Sequence, residues 1–349
     1  MKPLVSILIP AYNAEQWIGY TLESAIAQTW PRREIIVAND GSTDRTAEVA
    51  HRFASKGVRV VTTGNEGLSG AVNNAYRHCQ GDYLQYLDAD DLLAPNKIEQ
   101  QLAALRPSDS RRVLLSSPMA YFYYRSRSAQ FINNSLCQSL SPVEWLLRKM
   151  GENLHLQNAT WLVSRELAEA AGPCWDKDLH YDQDGEYFTR VLVASEGTRF
   201  VPSTGIYYRI VGTNRVSHIG NSDKKKEGLL RSMKLHVKYL LSLEDSDRVR
   251  RACLVYMQNW CQYFYPERPD LFAVVQALAA QLDGHLETPR LRWKYAWMKP
   301  LFGWKVAKWA QTTLPQVKES WLRRWDKQMF DLETHQAPQL PINTTSAAS

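Results

Sequence analysis

The chain has 349 residues, with 42 Lys and Arg against 36 Asp and Glu, a formal net charge of +6 and 44% hydrophobic residues. That apolar content supports a real core and excludes a globally disordered or fibrous chain, and the length suits one large domain with additions or two domains. No run approaches the ~18 apolar residues of a membrane-spanning helix, and five scattered cysteines lack disulfide or zinc spacing, which points to a reducing cytoplasm.

Residues 5–9 form a short apolar run ended by Pro10, followed by helical spacing over residues 15–28. A second strand is expected at 35–37, with a helix at 44–54. A third strand at 58–62 leads through a glycine-rich turn to a helix over 71–78, and a fourth strand covers 83–87. Continuous apolar strands alternating with helices predict a mostly parallel sheet covered on both faces, an α/β fold. Further on, helices are expected at 95–105, 142–150 and 183–194, and strands at 113–117, 120–124 and 160–163. From about residue 221 the pattern turns to long helices.

In such a sheet, ligands bind beyond the carboxyl ends of the strands. Polar clusters fall at those ends: Pro10-Ala11-Tyr12-Asn13, Asn39-Asp40-Gly41-Ser42-Thr43-Asp44 and Asp88-Ala89-Asp90-Asp91. Each has a plain reading as a turn or helix cap. Two carboxylates one residue apart can also share a divalent cation, which relieves their mutual repulsion. The turn Gly64-Asn65-Glu66-Gly67-Leu68-Ser69-Gly70 offers backbone N–H groups to an anion at a helix start.

Taken together, Pro10-Ala11-Tyr12-Asn13-Ala14-Glu15, Asn39-Asp40-Gly41-Ser42-Thr43-Asp44, Asn65-Glu66-Gly67-Leu68-Ser69-Gly70-Ala71-Val72-Asn73 and Leu87-Asp88-Ala89-Asp90-Asp91 resemble family 2 glycosyltransferases in order and spacing. The resemblance implies a GT-A fold, a nucleotide-diphosphate sugar donor, a Mn²⁺ or Mg²⁺ ion and inversion at the anomeric carbon. It implies that Pro10, Tyr12 and Glu15 line the nucleotide pocket, with Ala11, Asn13, Gly67, Asn73 and Ala89 in the same pocket. Asp40 matches the acid that binds the base, usually uracil, which favours a UDP-sugar. Asp88 matches the first acid of the D-x-D motif and Asp90 the metal ligand. Asn13 and Glu15 also read as a helix cap and first-turn acid. Two positions depart from the pattern: Asn39 stands where an acid is common, and Val72 where an arginine often precedes Asn73.

An acceptor hydroxyl attacking the anomeric carbon needs a base within hydrogen-bond reach. The resemblance places that base six residues before a helical arginine; counting back from Arg190 gives Asp184, with Gln183 in place of the usual preceding acid and Asp182 in reserve. Both acids otherwise suit a helix N-terminus. Trp161 is an acceptor platform or a core tryptophan, and Arg209 and His218 are candidate diphosphate contacts.

The expected organisation is a catalytic domain over residues 1–220, with a nucleotide-sugar half (1–105) and an acceptor and base half (106–220). A helical region (221–335) and a disordered tail (336–349) follow. Residues 290–330 hold ten Lys and Arg against Glu319 and Asp326, a net +8 that leaves −2 elsewhere, and six of twelve tryptophans. Pro300 and Pro315 are expected to break this segment into pieces of about fourteen residues. Basic tryptophan-bearing helices suit an anionic membrane surface and a lipid-linked acceptor; packing on the catalytic domain or in a homodimer is the alternative. No nucleic-acid-binding motif is present. The expected activity is transfer to a glycan or lipid-linked acceptor in cell-surface polysaccharide or glycolipid assembly. The protein would then sit in the cytoplasm or peripherally on the inner face of the plasma membrane. A nucleotidyltransferase and a non-catalytic nucleotide-sugar-binding module are the alternatives, and the second has no use for a base.

Overall fold

The computed structural model describes residues 2–210, 219–220, 222–289 and 293–336. The first half alternates strands and helices: β1 (Val5–Ala11), α1 (Ile18–Ile26), β2 (Arg33–Asp40), α2 (Thr46–His51), β3 (Val58–Thr63), α3 (Gly67–Arg77) and β4 (Tyr83–Tyr86). All seven residues of β1 are buried, as a strand covered on both faces requires. Next come β5 (Leu92–Leu93), α4 (Lys97–Ala103), β6 (Val113–Ser116), β7 (Met119–Phe122), β8 (Gln130–Phe131), α5 (Pro142–Gly151), β9 (Val163–Ser164) and α6 (Arg165–Ala171). The main sheet has the order β3-β2-β1-β4-β9, parallel throughout except for β9.

After α6 come α7 (Gln183–Ala194), β10 (Gly197–Phe200) and β11 (Ile206–Arg209). The last two strands were not legible as strands in the sequence. β10 pairs with β6, and β11 joins β5, β7 and β8 in a second small sheet. Helix α7 covers the residues expected for it. It lays Tyr187 and Phe188 into an aromatic cluster with Tyr86 and Trp175, and the hydroxyls of Tyr86 and Tyr187 share a buried hydrogen bond of 2.8 Å. Trp161 stacks on Phe188 and is buried, so it serves the core and not an acceptor platform.

The C-terminal helices are α8 (Asp223–Leu243), α9 (Asp247–Trp260), α10 (Pro269–Ala280), α11 (Trp293–Ala296) and α12 (Met298–Gln336). Leu229, Met233, Val237, Met257 and Val275 belong to the same hydrophobic core as β1 and α7, so that core runs continuously past residue 221. The expected breaks at Pro300 and Pro315 do not appear. Helical backbone runs through both, and the kink falls at Gly303 (φ 76°, ψ 168°), a conformation open to glycine. Pro300 lies in the first turn of α12, where a missing N–H costs little. The expected tail lies almost wholly outside the described residues.

Candidate active site

Strand register brings the motifs to one edge. Ala11 lies beside Asn39, and Asp40 beside Thr63, so β1, β2 and β3 end nearly level. Pro10 and Ala11 are buried in the strand, while Tyr12 emerges 51% exposed. The loops that follow are bound to each other. The Thr43 N–H donates to Asn13 Oδ1 (2.8 Å), the Asn13 N–H to Ser42 Oγ (3.1 Å), the Glu15 N–H to Asp44 Oδ2 (3.0 Å) and the Arg45 N–H to Glu15 Oε2 (3.0 Å). Asn13 and Glu15 therefore hold two loops together; α1 begins only at Ile18, so neither acts as its cap or first-turn acid.

Asp40 is buried and its Oδ1 accepts the Glu66 N–H at 2.7 Å, which ties the end of β2 to the turn before α3. Gly41 makes that approach feasible: φ is +66°, and a Cβ there would lie 2.9 Å from the Asn65 nitrogen. Gly67, also at positive φ, opens α3. A cavity of about 250 Å³ lies between residues 65–69 and Lys177, His180, Gln183 and Lys224. Helix-start N–H groups beside two lysines suit an anionic ligand. Asn73 does not reach that cavity's chemistry: its Nδ2 donates to the Trp175 carbonyl (2.8 Å) and its Oδ1 accepts the Trp175 N–H (2.7 Å). Both ends of this buried amide brace the loop before α7.

The acidic turn follows β4. Asp88 accepts from Gln157 Nε2 (3.0 Å) and Asn158 Nδ2 (2.9 Å). Asp91 is fully buried and accepts from Gln157 Nε2 (2.8 Å) and the Arg209 N–H (2.8 Å). Arg209 Nε donates to the Asp90 carbonyl (2.8 Å), and its guanidinium lies 4.1 Å from the Trp17 ring centre. Buried there, Arg209 has its pKa pulled down to about 10 by loss of water, against the pull of Asp90 and Asp91. The Ala89 carbonyl accepts from Thr21 Oγ1 (2.9 Å). Burial first, and then the charge of Asp90, push Asp88 up to about 7, and Asp91 is raised in the same way. This excess of negative charge is what a divalent cation would relieve. Among the described residues no group of three or more His, Cys, Asp or Glu is placed to hold a metal. A cation would thus rest on Asp88 and Asp90, with its other positions left to water or ligand oxygens, which suits a hard ion carrying a diphosphate.

Asp184, in the first turn of α7, is near enough to Asp88 for its charge to add to the rise there, although 96 positions separate them in the chain. Burial and the neighbouring Asp182 raise Asp184. Asp182 precedes the helix in a left-handed conformation (φ 60°) and accepts from the Ser232 hydroxyl on α8. Gly185 is needed here, because a Cβ would collide with the Asp182 carboxylate. Arg190, the marker from which the base was counted, grips Glu186 (2.7 and 3.0 Å) and the carbonyls of Ala171, Gly172 and Cys174, so it fixes α7 against the preceding turn.

Several supporting residues escaped the sequence. Gln157 and Asn158 seat Asp88, but an amide pair carries no motif signal. Lys149 and His155 face Asp182 and Asp184 electrostatically, and each is lowered by loss of water. Arg209 was anticipated, but its N–H groups go to the backbone of Asp90 and Tyr124. His218 lies outside the described residues.

Residues 6–139 match the model of Glycosyl transferase family 2. An uncharacterised glycosyltransferase of Rickettsia typhi (strain ATCC VR-144 / Wilmington) is 32% identical over 194 residues, covering 56% of this chain and 60% of that protein. The chain thus matches about three fifths of that relative's length. Among solved structures, S. aureus TarS 1-349 in complex with UDP-GlcNAc superposes with a TM-score of 0.65 at 16% identity, over 80% of this chain and 81% of that one. The mannosyltransferase PcManGT from Pyrobaculum calidifontis, in complex with GDP-Man and Mn²⁺, gives a TM-score of 0.53 at 18% identity, over 94% and 88%. The match to glycosyl transferase family 2 is thus confined to residues 6–139, and the fold of the chain is GT-A.

Proposed function

We propose that the chain transfers a sugar, with inversion, from a nucleotide-diphosphate sugar to an acceptor hydroxyl in cell-surface glycan or glycolipid assembly. The observation that carries this reading is that Asp184, in the first turn of α7, lies near enough to Asp88 for its charge to raise the pKa there, although 96 positions separate them in the chain. A nucleotide-binding module needs Asp40, Asp88 and Asp90 but gains nothing from that carboxylate. Tyr12 and Asp40 meet the base and ribose, and a UDP-sugar is the favoured donor; TarS in its UDP-GlcNAc complex shares the fold.

Asp88 and Asp90 would hold a Mn²⁺ or Mg²⁺ ion, which when bound neutralises charge on the diphosphate leaving group. Gln157 and Asn158 keep Asp88 oriented, and Arg209 holds the Asp90 backbone in place. Asp184 takes the proton of the acceptor hydroxyl as its oxygen bonds to the anomeric carbon. The bond from that carbon to the phosphate oxygen breaks, and the nucleoside diphosphate departs with the electron pair. Burial favours this role, since a carboxylate stripped of water is a stronger base. His218 is the diphosphate contact of this reading, while the Arg209 side chain, bonded to the Asp90 and Tyr124 carbonyls, positions the turn.

The test is transfer with a panel of nucleotide sugars and Mn²⁺, comparing wild type with Asp184→Asn. Turnover is expected to fall roughly 10²- to 10⁴-fold, with nucleotide affinity kept. Wild-type turnover in the variant would overturn Asp184 as the base.

A further inference from the structure

The described residues leave thirteen large apolar side chains exposed, and eight of them lie between residues 297 and 332. Helix α12 is the reason. At 100° per residue, Asp326, Phe330 and Glu333 share one face. That face is docked. The Asp326 carboxylate accepts from the N–H groups of Tyr124 (2.8 Å) and Arg125 (3.2 Å) and from Arg125 Nε (2.7 Å). Glu333 pairs with Arg125 and Arg127, and Phe330 packs against Trp17, Tyr20 and Tyr124. Trp321 and Leu332 project away from that face, 71% and 55% exposed, whereas Trp325 lays its ring over the Arg125 guanidinium (4.9 Å) and flanks the clamp with Leu322. Arg324 and Lys327 are exposed along the helix between the docked and apolar faces. Nearer the kink, Leu301, Phe302 and Val306 are exposed too.

We infer that this apolar flank of α12 docks on a bilayer surface carrying anionic lipid, with the Asp326 clamp setting the orientation of the rest of the molecule. The choice of occupant follows from charge. Arg324 and Lys327 stand exposed beside this face, in a segment (290–330) whose sequence carries +8, so anionic headgroups complement the segment whereas a second copy would add like charge. Exposed tryptophans beside Lys and Arg suit the headgroup region, where an indole keeps one edge wet. No helix among the described residues is long and apolar enough to cross a membrane, so contact here is at the surface. The clamp has a further consequence. Trp17 touches Phe330 on one side and the Arg209 guanidinium on the other, and Arg209 holds the Asp90 carbonyl. The lipid-facing helix is therefore joined to the acidic turn through two side chains. If the proposed transfer holds, an acceptor carried on lipid arrives beside the site; lipid binding itself does not depend on that reading.

The experiment is co-sedimentation of the full chain with vesicles of phosphatidylglycerol mixed with phosphatidylcholine, against vesicles of phosphatidylcholine alone. Wild type is expected to bind the mixed vesicles, more weakly as salt is raised. The double variant Trp321→Ser/Leu332→Ser, which leaves the Trp325 contact with Arg125 in place, should partition at least about tenfold less. Thermal stabilisation by a nucleotide sugar should be the same in both proteins, which separates loss of lipid contact from loss of the fold. Equal partitioning of the variant would overturn the proposal. So would wild type that ignores both vesicles, and self-association in sedimentation velocity that the double variant abolishes would then assign the flank to a second copy.

Discussion

The sheet edge and the C-terminal helix handle charge in opposite ways. At the edge, Asp88, Asp90 and Asp91 are gathered against one another, and burial lifts Asp88 to about 7. Neutral amides from Gln157 and Asn158 hold Asp88, and the buried Arg209 spends its Nε on a carbonyl. In the proposed reading that edge receives positive charge from a divalent cation. On α12 the buried acid Asp326 is fully answered by Arg125 and two backbone N–H groups. A charge answered by fixed partners is a complete arrangement and a structural clamp; acids crowded on one another are, in the proposed reading, an incomplete one that a cation finishes.

The largest expected effect breaks the incomplete side. Asp90→Ala should lower transfer by roughly a thousandfold or more, several kcal/mol of transition-state stabilisation. EDTA should reproduce that loss in wild type and weaken nucleotide binding measured by calorimetry; nucleotide affinity indifferent to both would remove the metal from the site. On the complete side, Asp326→Ala leaves Arg125 only 10% exposed with Glu333 as its remaining acid. Stability in denaturant should fall by roughly 2–4 kcal/mol, with earlier proteolytic cleavage in α12. Cleavage unchanged from wild type would mean that the clamp does not hold the helix.

Asn73→Ala removes two hydrogen bonds to the Trp175 backbone and should cost about 1–3 kcal/mol while leaving donor affinity alone. The reverse pattern would return Asn73 to the nucleotide pocket. A gentler effect concerns Asp184, whose pKa is raised in the folded state by burial and then by Asp182. A raised carboxylate destabilises the fold at neutral pH, where the unfolded chain ionises more easily. Asp184→Asn should therefore melt higher than wild type at pH 7, and the gap should close as pH falls toward 4. A gap that widens on acidification would mean that Asp184 is stabilised as an anion. Smallest of all, Glu15→Gln should cost under about 1 kcal/mol, since an amide oxygen can still accept the Arg45 N–H.

The strands β1 to β4, helix α7 over 183–194 and the acidic turn were legible because each rests on local signals: buried strands read as apolar runs, and ligand loops follow strand ends. The strands β10 and β11 were not, because each owes its place to a distant partner, β6 for one and β5 and β7 for the other. Trp161 illustrates the same limit. A tryptophan in a strand context serves a platform or a core equally well until Phe188 is laid beside it.

The sequence by itself determined the parallel architecture, the family 2 resemblance of residues 6–139 and the acids at the strand ends, since order and spacing along the chain carry all three. Only the tertiary structure decided which polar residues brace one another. It turned Asn73 onto Trp175, set Gln157 and Asn158 beneath Asp88, and brought Asp184 within electrostatic reach of a turn 96 residues away. It likewise split α12 into a docked face and an open one, because a helix of mixed residues does not specify which of its sides meets the protein until Asp326 finds Arg125.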